Sequence, residues 1–253
     1  MQLQKKDIIA TDEMFTIYID NIPVTKVRAN KKLTLPKSDK TNFVAYYDGE
    51  NYFDENELIT VQNDMYLKTA YLGEFKMNYG AAIRLSEKSG LRFYTFVDTD
   101  AIQSLKNASI EYSLGTLIGL KNRLGSNDLC FETNQYDSSG KLVYSTVPYN
   151  ASAFYKDNTG FEGVVGSIVN ISDNNITKKF VGRGYIKLTL GSETKNIYAS
   201  YADDDINNNA RSISYVSFRF KNNNYGGLDL SDEHLALVNK WASYMDPYVS
   251  DTW

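Results

Sequence analysis

Residues 79–97 read YGAAIRLSEKSGLRFYTFV and constrain the fold more than any other stretch. Two runs, Ala82-Ile83-Arg84-Leu85 and Leu91-Arg92-Phe93-Tyr94-Thr95-Phe96-Val97, flank a Ser/Glu/Lys/Ser/Gly connection. Alternation of period two around a Gly-containing turn is the pattern of a β-hairpin with one buried face. Ile83, Leu91 and Phe93 are expected on that face.

The rest of the chain repeats the signal. Short β-rich runs cover 15–20, 24–29, 42–47, 58–61 and 65–71, separated by Asp-Asn, Lys-Leu-Thr-Leu-Pro and Asp-Gly turns. Residues 110–118, 128–136, 142–147, 161–168 and 180–190 read as further strands, with 195–199 the hairpin partner of the last. Helices are expected over 101–108 and 209–218, and at 232–245, where Ser231 is the cap and Leu235, Val238, Trp241, Ala242 and Met245 share one face. Pro247 would stop that helix. The 20 tyrosines and scattered Asn clusters fit a mainly β protein with many loops.

Three segments follow: a leader or linker at 1–14, a small domain at 15–72 and a larger β-rich, sandwich-like domain at 73–253 with a few short helices and a C-terminal helix.

Two resemblances join this reading. Lys32-Leu33-Thr34-Leu35-Pro36, Phe43-Val44-Ala45-Tyr46-Tyr47-Asp48-Gly49 and Ile59 to Leu67 resemble the Listeria–Bacteroides repeat over about 15–72, with Ala45-Tyr46-Tyr47 where that family has Gly-Trp-Tyr. The resemblance implies a β-grasp-like module of a bacterial surface protein. Tyr79 to Arg84, Gly90 to Phe93, Gly115 to Ile118, Phe180 to Tyr185, Ala210 to Val216 and the terminal helix are similar, in that order, to an uncharacterised C-terminal module of large exported proteins of gut Firmicutes, over about 79–245. It implies location and company, not a ligand.

Composition narrows function. A net charge of −4 with interspersed signs gives no basic patch for nucleic acid. One cysteine, Cys130, excludes an intramolecular disulfide framework, and a small buried hydrophobe is its expected role. No apolar run reaches the ~18 residues of a membrane span. The first ten residues carry no signal-peptide core, so the expectation is a fragment of an exported protein or a protein, such as a virion component, that leaves the cell otherwise.

Candidate chemistry is sparse. Arg84, Arg92, Arg183 and Arg211 could grip a carboxylate or sugar acid, although pairing with acids or stacking on tyrosine is the commoner use. Asp203, Asp205 and Asn207 alternate like calcium ligands, but Asn208 and Ser214 replace the expected glycine and glutamate, so a solvated loop with a helix cap at Asn209 is favoured. His234 is the only histidine, which leaves nucleophile–base pairing little scope. Tyr46, Tyr47, Tyr52, Tyr149 and Tyr155 are the candidate stacking surfaces for a sugar, with Phe53 and Phe154 nearby in sequence and Tyr248 and Trp253 as a separate pair in the last residues; core and edge packing is their commoner use. The expectation is a non-catalytic, extracellular adhesion, glycan-recognition or spacer module with no cofactor, a calcium ion at that loop being the alternative to the favoured solvated loop. Its partners would be a cell-surface or dietary glycan, or other surface or virion proteins. The alternatives are a phage capsid or tail decoration or host-adhesion protein and, last, a polysaccharide hydrolase, since 31 acidic residues allow many pairings.

Overall fold

The computed structural model describes residues 13–151 and 153–245. The leader expected at 1–14 therefore lies almost wholly outside the described residues, as do Pro247, Tyr248 and Trp253. Strand accounts for 41 % and helix for 21 %, which makes the protein mainly β. The chain divides into two units. The first comprises 1–73, 100–110 and 190–192, and the second the remainder. The first unit thus takes in a helical segment that sequence continuity assigns to the second.

In the first unit β1 (Met14–Ile19) and β2 (Ile22–Arg28) form a hairpin. Its turn residues, Asp20 and Asn21, both have positive φ, 50° and 67°. Asp and Asn tolerate that region, and such a turn matches the twist of the strands it joins. Next come β3 (Lys31–Thr34), β4 (Phe43–Tyr47), β5 (Tyr52–Phe53), β6 (Leu58–Val61) and β7 (Met65–Tyr71). The main sheet has the order β2-β1-β7-β4-β5, with β1 and β7 parallel and the other neighbours antiparallel. A hairpin whose first strand lies parallel to the last strand is the β-grasp-like arrangement. The β3–β6 ribbon contributes Leu33, Ile59 and Val61 to a core with Ile17, Leu35, Tyr46 and Leu67. Helix α1 (Thr99–Asn107) buries Ala101, Ile102 and Leu105.

The second unit pairs two sheets. One has the order β13-β14-β10-β8, built from β8 (Phe75–Met77), β10 (Gly90–Val97), β13 (Tyr155–Lys156) and β14 (Glu162–Val169), with β9 (Ala82–Arg84) also paired to β10. The other has the order β12-β11-β15-β16, built from β11 (Glu111–Leu120), β12 (Tyr144–Pro148), β15 (Phe180–Leu190) and β16 (Glu193–Tyr198), with β17 (Ala210–Arg211) on β15. Leu91, Phe93, Thr95 and Val97 are buried along β10 while the residues between them are not, as their alternation predicts.

The sheets approach unusually closely. A Cβ on Gly182 would stand 2.4 Å from Cγ of Phe93, and one on Gly184 would stand 2.3 Å from Cγ2 of Thr95. Across the same interface a Cβ on Gly166 would meet Cβ of Thr116 at 2.3 Å. Glycine is required at these places because a neighbouring side chain already fills the space. The result is a sandwich with α2 (Lys121–Leu124), α3 (Ile213–Asn222) and α4 (Asp232–Ala242) added.

Three local expectations are corrected. Residues 128–136 form turns, not a strand, with a single bridge from Tyr136 to Leu142. The Asp128 carboxylate takes the Leu129 N–H and its carbonyl takes the Thr133 hydroxyl, so local hydrogen bonds replace a ladder. Helix α3 starts at Ile213 behind the cap Ser212, whose Oγ accepts from Tyr215 N–H, and not at Asn209. Asn209 is fully buried: its Oδ1 accepts from Ala202 N–H and its Nδ2 donates to the Asn78 carbonyl. Cys130 is only half-buried, with Sγ 3.5 Å from the Thr133 hydroxyl.

Candidate functional site

The five tyrosines singled out from sequence do not converge. Tyr46 is 2 % exposed, lies in the first core and donates its hydroxyl to the Pro36 carbonyl. Buried in succession with Val44 and Ala45, it is removed as a ligand contact. Tyr47 and Tyr52 stack on each other at 4.9 Å, and their hydroxyls donate to carbonyls of Gly49 and of Ala108 and Ser109 respectively. In the second unit Tyr149 donates to the Ala153 carbonyl, and Tyr155 packs against Tyr94 and Phe161.

The alternating loop is exposed at Asp203, Asp205 and Asn207. Oδ1 of Asp205 accepts from both the backbone and side-chain amides of Asn207, and Asp205 also caps the short turn that follows. Among the described residues no group of three or more His, Cys, Asp or Glu could hold a metal. His234 sits in the first turn of α4, where its N–H donates to the Ser231 cap.

The four arginines separate into different roles. Arg84 donates from Nε to the Lys88 carbonyl within its own hairpin connection. Arg183 pairs with Asp128, donates from Nε to the Ala199 carbonyl and lies over the rings of Tyr198 and Tyr201 at 5.2 and 4.7 Å. Tyr201 donates to the other oxygen of Asp128, and Tyr198 donates to Glu132. Burial works to raise the Asp128 carboxyl, but the Tyr201 hydrogen bond and the Arg183 charge bring it below the ordinary range. This network pins the 128–136 loop to the sheet. Arg92 and Arg211 meet at a different place, a cleft beside α3.

The first unit carries a cleft that no sequence motif announces. In β7 Leu67 enters the core, so Tyr66 and Lys68 turn to solvent. The parallel register sets Tyr66 directly opposite Tyr18, and their rings stack at 4.7 Å and 2°. Tyr66 remains 58 % exposed. Its ring borders a cleft of about 560 Å³ together with Asp20, Asn21, Lys40, Lys68, Tyr71 and the α1 residues Asp100, Gln103 and Asn107.

The wall is held rigidly. Ser104 Oγ accepts from Tyr71 N–H and donates to Tyr71 O, both at 2.9 Å, which docks α1 on β7. Lys68 donates to the Asn107 carbonyl, Gln103 donates to Asn107 Oδ1, and Asp20 Oδ1 accepts from Thr69 N–H. Lys40 lies over the Tyr71 ring at 5.4 Å. The Asp100 carboxylate and the Asn21 amide have no hydrogen-bond partner among the described residues, which leaves polar groups available around an aromatic face. The useful residues escaped sequence reading because they come from four separated segments. Only the alternation around Leu67 pointed at an outward Tyr66.

Among the described residues no helix is long and apolar enough to cross a membrane. Comparison with family models, curated proteins and solved structures finds no match to this chain.

Proposed function

We propose that the chain is a non-catalytic, extracellular glycan-recognition module, and that the cleft of the first unit receives a saccharide. The observation that carries this reading is Tyr66. It is a broadly exposed ring held flat by Tyr18, with carboxylate, amide and ammonium groups around it. A pyranose offers an apolar C–H face for such a ring and a rim of hydroxyls for the polar groups. Asp100 and Asn21 accept and donate at the rim; Lys40 and Lys68 donate. The likeness of 15–72 to a bacterial surface repeat supports display outside the cell, where glycans are the abundant partners.

The test is a glycan array probed with the whole chain, followed by calorimetry on the best saccharide. Tyr66→Ala is expected to keep the fold, because the ring is exposed, and to weaken binding at least about tenfold. An array that stays blank, or a saccharide bound equally well by Tyr66→Ala, refutes the assignment.

A further inference from the structure

We propose that the second unit holds a separate site for a small amphiphilic anion, an oxyanion group joined to an apolar body, in the cleft between α3 and the β9–β10 hairpin. The cleft has a volume of about 890 Å³, within the range of ~300–1,000 Å³ usual for small-molecule sites. Arg92, Arg211 and Arg219 line it, and among the described residues no Asp or Glu does. The chain as a whole is acidic, at −4, so this concentration of positive charge is local.

Each arginine arrives by a different route. Leu91 and Phe93 are buried in the sandwich, so Arg92 between them turns to the outer face of β10. Arg219 stands on α3 one turn beyond Tyr215, which also lines the cleft. Neither the Arg92 nor the Arg219 guanidinium has a hydrogen bond or ion pair to another described residue. Arg211 is 4 % exposed and fixed: its Nη1 donates to the carbonyls of Asn207 and Ala210, and its guanidinium lies 5.1 Å over the Tyr79 ring. Gly80, at φ +74°, lets the backbone pass it closely, since a Cβ there would come within 3.2 Å of Nε.

Apart from Tyr215, Asn222 and Asn223, the remaining wall is apolar, chiefly Ile83, Val216 and Phe220. Like charges gathered along one cleft repel, and an anion relieves that repulsion while the planar guanidinium groups offer it paired N–H donors. Carboxylate and phosphate share this chemistry, and the apolar wall accounts for the body attached to either. The site lies in the other unit and does not rest on the saccharide reading.

Calorimetry on the whole chain with decanoate, monodecyl phosphate and neutral decanamide, each below its aggregation limit, tests the site. One equivalent of at least one anion is expected to bind, more weakly at high salt, and the tighter of the two identifies the preferred oxyanion. Arg92→Gln and Arg219→Gln should each weaken that binding about tenfold. Arg84→Gln, on the same hairpin but outside the cleft, should leave it unchanged. Circular dichroism checks each fold, and Arg219, exposed on its helix, is the variant least able to disturb it. Failure of both anions to bind, equal binding of decanamide, or unchanged affinity in both cleft variants overturns the proposal.

Discussion

At the scale of single residues, the close approach of two sheets sets opposite expectations for neighbouring positions. Gly182→Ala puts a methyl 2.4 Å from Cγ of Phe93, a ring that is itself fully buried. The overpacking should cost about 1–3 kcal/mol, read as a lower midpoint in urea at unchanged slope. Thr116 is also fully buried, and its hydroxyl has no hydrogen-bond partner. Thr116→Val keeps the shape and removes a desolvated polar group, so it should raise stability by about 1 kcal/mol in the same assay. Tyr198 and Tyr201 supply a third expectation. Burial first, and then the carboxylates of Glu132 and Asp128 respectively, push both hydroxyls well above their ordinary 10.0. The unfolded chain therefore ionises before the folded one. Stability from these groups is complete below pH 10 and drains away as pH rises beyond it. Absorbance at the tyrosinate band should show these two rings ionising together with alkaline unfolding. If both titrate near pH 10 in the folded chain, the network is looser than described.

At the scale of elements, legibility followed exposure. Where one face of a strand is wet, as in Leu91 to Val97, period two survived in the sequence and named the buried side correctly. Where both faces are covered it did not: β4 is buried at Val44, Ala45 and Tyr46 in succession, so Tyr46 looked available when it is core. The 128–136 segment misled for another reason. Leu129 is buried as an isolated anchor beside Asp128, and apolar content without regular pairing imitates a strand. The terminal helix was plain because its cap, first-turn acids and apolar stripe agree. Ser231→Ala should cost about 1 kcal/mol and loosen α4 first, seen as faster amide exchange at His234 and its neighbours than in α3. The clefts themselves were barely visible in sequence. Arg92 and Arg211 are far apart in the chain and meet only through the fold, while Arg219 sits outside any recurrent pattern.

At the scale of the whole molecule, the two units differ in how the chain builds them. The second is assembled from long antiparallel neighbours, several of them adjacent in sequence. The first is discontinuous: the chain leaves it at Gly73, comes back over 100–110, which carries most of α1, and touches it again at 190–192. The cleft proposed to receive a saccharide needs that returning helix, since Asp100, Gln103 and Asn107 form one wall. The parallel pairing of β1 with β7 has a mechanical consequence as well. Pull the start of β1 and the end of β7 in opposite directions, and the hydrogen bonds between them are loaded together in shear rather than opened one at a time. If the proposed module is displayed on a surface and loaded between those two points, that geometry makes the β1–β7 pairing resist as one block. Single-molecule extension from residues 13 and 73 should accordingly show one abrupt rupture, not a gradual peeling.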